Sequence, residues 1–413
     1  MERSDFLPSL PPASPGTSEE AQGQSRPATD LRAAAQLATE AVLGTTRLVE
    51  AVHAAVWATV TPGPTPQGPR TTGLTGWIYR TVRGITHLSG RGTTWALGAL
   101  GRALDRTPQP NSDARQRLLS VLNGVVGDHL AASDSPLALP FSLRAPDGRQ
   151  LNIDAPHTAF GDTVVVFVHG LCLSDRDWMN TTGERTSLVE AVPATLNGTP
   201  VLARYNTGRS IQDNGQALER CLNALTNRPA GPSRIVLVTH SMGGLVVRSA
   251  VQHARNAAAR WPELITDTVY LGTPHRGSPL ERSGAWIDTQ LRRTSVTAPF
   301  TDLTTLRSQG IQDLRQGTAA QHNPPRPSSL EPLDDADSIP GRTLYVAAAL
   351  TSDHRTRDAI GDGLVPVPSA LDRPGGPQGA TRRVVEGIGH LDLLHDPAVT
   401  EPLCRWLSTP EDS

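Results

Sequence analysis

Lysine is absent from this chain: all 38 basic residues are arginine, which excludes lysine Schiff bases and catalysis by a lysine amine. Cysteine is scarce. Cys172, Cys221 and Cys404 are odd in number and far apart, so neither a disulfide framework nor a metal cluster is expected. They read as small buried hydrophobes; Cys172 borders a loop assigned below to the site, which leaves accessibility there as its alternative. Aromatic residues make up only 4% of the chain, so the core has to be built from Ala, Val and Leu. The formal net charge of −2 gives no reason to expect a nucleic-acid partner. The first residues lack the basic start and apolar centre of a secretory leader, and no stretch reads as an apolar helix long enough to span a membrane. A cytoplasmic protein is therefore expected.

What is present divides the chain into a tail, an arm and a body. Residues 1–29 are rich in Pro, Ser and acid, bury too little to offset chain entropy, and read as a disordered tail. Residues 30–135 read as a helical N-terminal region. Ala38, Val42, Thr45, Val49, Val52 and Val56 recur at helical steps, with Asp30 as an N-cap and Pro62 as a stop. Further apolar helical segments cover about 73–104 and 112–132. The arm carries Arg47, Arg70, Arg80, Arg83, Arg91, Arg102 and Arg106 against few acids. Two readings stand: an amphipathic element for peripheral membrane contact or for covering the active site, and a small helical domain that packs on the body.

The body, 136–413, changes grammar. Residues 141–144 and 150–153 flank Pro146-Asp147-Gly148 as a hairpin. Short apolar strands then alternate with helices, at 163–168, 201–204, 234–238, 268–271, 343–349 and 382–386, with helices at 210–225, 241–256 and 398–406. That alternation predicts an α/β fold, a mostly parallel sheet covered on both faces. An insertion at about 276–341, with Trp286, Leu291, Phe300, Leu306, Ile311 and Leu314 at helical spacing, is expected to form a cap over the pocket.

Thr239-His240-Ser241-Met242-Gly243-Gly244 sits between a predicted strand and a predicted helix. A serine on such a sharp turn is strained and presents its hydroxyl over the positive end of the helix. Thr239 departs from the G-x-S-x-G pattern. Serine needs a base, and the base needs an orienting acid. Asp362 and His390 each follow a predicted strand, in glycine-flanked loops where ligands bind in open α/β sheets. Ser241 is therefore read as nucleophile, His390 as base and Asp362 as orienter, with Asp353 the rival acid and His395 the rival base. The strand 164–168 ends in His169-Gly170-Leu171, and the backbone N–H groups of Leu171 and Met242 are expected to form an oxyanion hole. His169, Gly170, Tyr205 and His240 are candidates for substrate contact, His169 more as a loop-holding residue. His275 reads as structural.

Six segments occur together in one order: His169-Gly170, Arg204-Tyr205-Asn206-Thr207-Gly208, the 239–244 turn, Leu271-Gly272-Thr273-Pro274-His275-Arg276-Gly277-Ser278, Asp362-Gly363-Leu364-Val365 and Gly389-His390. In this the chain resembles the bacterial lipase and serine-esterase branch of the α/β-hydrolases that is similar to the GPI inositol-deacylases. The resemblance covers about 140–407. It implies an α/β-hydrolase fold and hydrolysis of a small-molecule or lipid ester through an acyl-enzyme, with no metal or organic cofactor. Thioesterase, phospholipase and polyester depolymerase activities use the same triad and stay open, as does a non-catalytic scaffold that binds membrane or a partner through the arm.

Overall fold

Val164-Val165-Val166-Phe167-Val168 is apolar on both faces of a strand, and such a strand is stable only in the middle of a sheet with a layer on each side. The computed structural model describes residues 113–153, 160–179, 186–278, 308–316, 339–373, 377 and 379–409. It puts this run at β2 (Thr163–Val168), buried along its whole length. The sheet has seven strands in the order β1-β3-β2-β4-β5-β6-β7. The others are β1 (Ser142–Arg144), β3 (Thr199–Arg204), β4 (Arg234–His240), β5 (Ile265–Leu271), β6 (Arg342–Ala349) and β7 (Thr381–Glu386). Only β1 runs antiparallel to its neighbour, β3. The expected hairpin is short: Leu151 N–H donates to the Leu143 carbonyl at 2.8 Å and Ala145 N–H to the Arg149 carbonyl at 2.9 Å, around a single bridge between Arg144 and Gln150.

On one face, Val165, Phe167, Val236, Val238, Val269, Leu344 and Val346 form a core with α2 (Leu188–Leu196) and α8 (Pro397–Ser408). By strand alternation, Val164, Val166, Ile235 and Leu237 face the other way. There α3 (Ile211–Thr226) and α4 (Met242–Asn256) pack on each other. They approach closely at Gly215, where a Cβ would stand 2.3 Å from Ser249 Oγ. The sequence reading passed over α2. A Ser187–Glu190 capping box opens it, but Pro193 interrupts its nine residues and masks the helical period.

The connection from β2 leads to β3 on one side, and the next strand, β4, pairs with β2 on the other. The loops leaving β2 and β4 therefore diverge at a topological switch point, where α/β sheets bind ligands. Among the described residues, no helix is long and apolar enough to cross a membrane.

The predicted helix 112–132 is α1 (Asp113–Ala132), and it falls within the compact unit 110–413. It kinks at Val126 (φ −134°, ψ 23°), between two glycines. A Cβ at Gly127 would meet Asn206 Oδ1 at 1.8 Å and one at Gly124 would meet Cys172 Sγ at 2.2 Å. The helix thus lies directly on the loops that follow β2 and β3. Cys172 is accordingly buried at 4% exposure, in keeping with its reading as a small buried hydrophobe, whereas Cys221 and Cys404 are only partly buried. Of the predicted cap, α5 (Gln309–Gln316) is described, and it packs on α1 and α3. The expectations for the tail 1–29, for the arm segments 30–60 and 73–104, and for most of 279–338 lie outside the described residues. The remaining helices, α6 (Arg357–Ile360) and α7 (Val367–Ala370), are single turns beside β6.

Candidate active site

Ser241 follows β4 with φ +53° and ψ −127°, a left-side conformation that non-glycine residues rarely adopt without a functional reason. Its N–H donates to the Leu271 carbonyl at 2.9 Å, which pins the elbow to the end of β5. Small neighbours make room for it: a Cβ at Gly243 would lie 2.3 Å from the Val168 carbonyl oxygen, and one at Gly170 would lie 2.8 Å from Ser241 Cβ. Thr239, which stands where the usual pattern has glycine, is wholly buried. Its hydroxyl donates to the Val269 carbonyl at 2.9 Å, so the larger side chain is accommodated by satisfying its one polar group.

Asp362 lies in the loop between α6 and α7, and His390 in the turn after β7. The imidazole Nδ1–H donates to Asp362 Oδ2 at 2.6 Å. Oδ1 of the same carboxylate accepts from the N–H groups of Leu364 at 2.9 Å and Val365 at 2.7 Å. Both oxygens are thus engaged in charge-assisted bonds, and with Nδ1 as donor the basic nitrogen of His390 is Nε2. The loops are also tied through the backbone, His390 N–H to the Asp362 carbonyl at 3.2 Å. His390 packs against the end of β5: a Cβ at Gly272 would lie 3.2 Å from its Nδ1 and Cε1. Leu271, which precedes Gly272, holds the Ser241 N–H. The structure does not bring the rivals here. Asp353 is exposed and accepts from Thr356 Oγ1 at 2.9 Å, and His395 meets the Asp177 backbone instead.

The loop after β2 runs alongside. No described residue accepts the backbone N–H of Leu171 or of Met242. The four candidates for substrate contact are all buried. Tyr205 stacks on His169 with ring centroids 4.3 Å apart, and its hydroxyl donates to the His169 carbonyl at 2.5 Å. Burial lowers the His169 pKa to about 4. His240 donates from Nε2 to the His390 carbonyl at 3.0 Å, which fixes its tautomer. Burial, then the neighbouring His390, holds its pKa well below the ordinary value.

Residues 165–402 match the model of a family described as the alpha/beta hydrolase family. The chain belongs to that family. The hydrolase is also similar to solved structures. With the mature lipase BlEst2 of Bacillus licheniformis it shares 19% identity over 66% of this chain and 98% of that one, at a TM-score of 0.40. A putative esterase from Staphylococcus aureus shares 13% over 61% and 76%, at 0.33, and an esterase of Pyrococcus furiosus shares 15% over 60% and 80%, at 0.34. No curated protein matches the hydrolase.

His275 sits in the loop after β5. Its Nδ1 accepts from Arg248 at 2.9 Å, and its ring stands edge-on to Tyr270 and Tyr345. Burial, then Arg248 and Arg276, holds its pKa well below the ordinary value. Below about pH 6.5 the unfolded state protonates this histidine while the folded state does not, so stability falls as pH falls, by up to ~1.4 kcal/mol per pH unit for one proton. His275→Asn keeps an acceptor for Arg248 and removes the titration. Between pH 7 and pH 5 the hydrolase is expected to lose more of its melting temperature than this variant does. Equal losses would show that the folded state takes up the proton as readily as the unfolded one.

Proposed function

We propose that this hydrolase cleaves carboxylic esters of the lipase and esterase kind through a serine acyl-enzyme. The observation that carries the reading is a serine in a strained elbow beside a buried Asp–His pair whose tautomer is already set. In the proposed cycle, Ser241 Oγ attacks the ester carbonyl carbon and His390 Nε2 takes its proton. Asp362 holds the imidazole and stabilises the charge it gains. The carbonyl oxygen, now an oxyanion, sits between the N–H groups of Leu171 and Met242. Collapse expels the alcohol, which takes the proton from His390 and leaves Ser241 acylated. Water activated by the same histidine then releases the acid.

The narrower likeness, to the branch similar to the GPI inositol-deacylases, rests on the six sequence segments alone. The apolar residues of the insertion, Leu306, Ile311 and Leu314 among them, favour an ester with an apolar acyl chain. Tyr205 and His169 hold the loop after β2 in this reading, and His240 holds the base, all behind the surface a substrate would touch. A chain-length series of p-nitrophenyl esters tests the activity and sizes the acyl pocket. Absence of turnover on every ester, together with failure of a fluorophosphonate probe to label folded protein, would overturn the reading.

A further inference from the structure

We infer that Thr207 is a positioning residue for the oxyanion donor Leu171, an inference that rests on the ester-hydrolase reading above. The sequence singled out the segment 204–208 without giving this residue a task. In the structure its side chain is buried at 1% exposure, and its Oγ1 accepts the backbone N–H of Cys172 at 3.1 Å.

That bond acts on a strained turn. The N–H of Leu173 donates to the Gly170 carbonyl at 3.3 Å, closing a four-residue turn with Leu171 and Cys172 in the middle. Cys172 has φ +58°, at the position where turns with positive φ normally carry glycine or asparagine. A cysteine held there stores strain unless its surroundings over-determine it. The Thr207 hydroxyl supplies the restraint: it holds the Cys172 N–H, and with it the peptide plane that follows Leu171, in one orientation. The next donor back along the chain, Leu171 N–H, is left without a protein acceptor among the described residues. An oxyanion donor has to be set within about half an ångström of its productive position, and a turn free to relax its positive φ would not keep it there.

Thr207 is itself anchored. Asn206 on one side accepts the Gly208 N–H at 3.0 Å and donates to the Gly127 carbonyl of α1 at 2.8 Å. Gly310 of α5 donates to the Gly208 carbonyl at 3.1 Å, and a Cβ there would meet the Thr207 carbonyl oxygen at 2.2 Å. Asp313, one turn further on, accepts the Ile211 N–H at 2.9 Å. The chain of contacts runs from α1 and the insertion helix, through the 206–211 loop, to a single hydroxyl and the turn beside Ser241.

The test is steady-state hydrolysis of p-nitrophenyl butyrate by wild type, Thr207→Val and Thr207→Ser, with melting temperatures to establish folding. Valine keeps the shape and loses the acceptor. Its kcat is expected to fall about 10- to 100-fold, less than the loss of a whole oxyanion donor, with KM within about twofold. Serine keeps the acceptor and should stay within about threefold of wild type. A valine variant that keeps its kcat, or a serine variant that falls as far as valine, overturns the inference. Should the valine variant not fold, Thr207→Cys carries the same comparison, since a thiol fills the space but accepts weakly. Its kcat is then expected to drop about tenfold, and an unchanged kcat overturns the inference. Ser241-dependent turnover in wild type with an indifferent Thr207 removes this inference alone, whereas a wild type inert towards esters removes the parent reading and this one together.

Discussion

Ser241→Ala is expected to lower kcat on a p-nitrophenyl ester by about 10⁵- to 10⁶-fold, the scale seen when the nucleophile of a serine triad is removed. The fold should survive. Alanine keeps the Cβ that Gly170 packs against, and Ser241 makes no side-chain capping bond to α4 that would be lost. The elbow conformation at φ +53° is no harder for alanine than for serine. Rescue by the nearest thiol is also excluded by the structure: Cys172 lies under α1, and burial pushes its pKa up to about 12, so at neutral pH it is not a thiolate. Rates and melting curves of the two proteins decide the matter. Residual turnover above about 1% with an unchanged melting temperature would mean that another group attacks the ester.

Asp362→Asn should cost about 10⁴-fold in kcat while changing KM little, for a reason fixed by the backbone around it. Two N–H groups, from Leu364 and Val365, point at Oδ1, so an asparagine has to place its carbonyl oxygen there. Its NH₂ then faces His390 Nδ1. That donor requires an acceptor, so the imidazole switches to the tautomer with its proton on Nε2, the nitrogen that accepts the serine proton in the proposed cycle. The substitution leaves the shape and reverses the base. Raising pH cannot restore it, since the defect is one of tautomer and not of charge, so the low rate should persist across the profile. A variant that recovers wild-type kcat at high pH would show that Asp362 contributes charge rather than orientation.

The elements that place these residues were legible where local physics is strong. A continuous Val-rich run has nowhere to go but a central strand, and β2, β4 and β6 appear where the apolar runs predicted, extended by a residue or two at β4 and β6. Asp362 and His390 were recognisable as glycine-flanked residues after strands, and the structure brings those two together, leaving Asp353 and His395 outside. Thr239 was visible as a departure, but not its remedy: the acceptor for its hydroxyl comes from the neighbouring strand, thirty residues on. The burial of Cys172 was legible but not its cover, since Gly124 belongs to a helix that reads from sequence as part of the arm. Thr207 shows the same limit, since its bond partner is 35 residues away, and no period or spacing encodes such a pairing. The missed α2 is different. Its capping box stood in the sequence, and attention to Ser187 and Glu190 would have found it despite Pro193.

The helix α1 has one more consequence, which concerns the order in which the chain is made. It is the first described element to leave the ribosome, yet the groups it packs on follow it at a distance: Cys172 and Asn206 from the sheet's loops, and then Ser308, whose hydroxyl donates to the Gly124 carbonyl across 184 residues. Contacts so far apart carry a large loop-closure cost and form only after the intervening chain has organised. The faces that α1 presents to those loops therefore wait unpaired while about half of the hydrolase is still being synthesised.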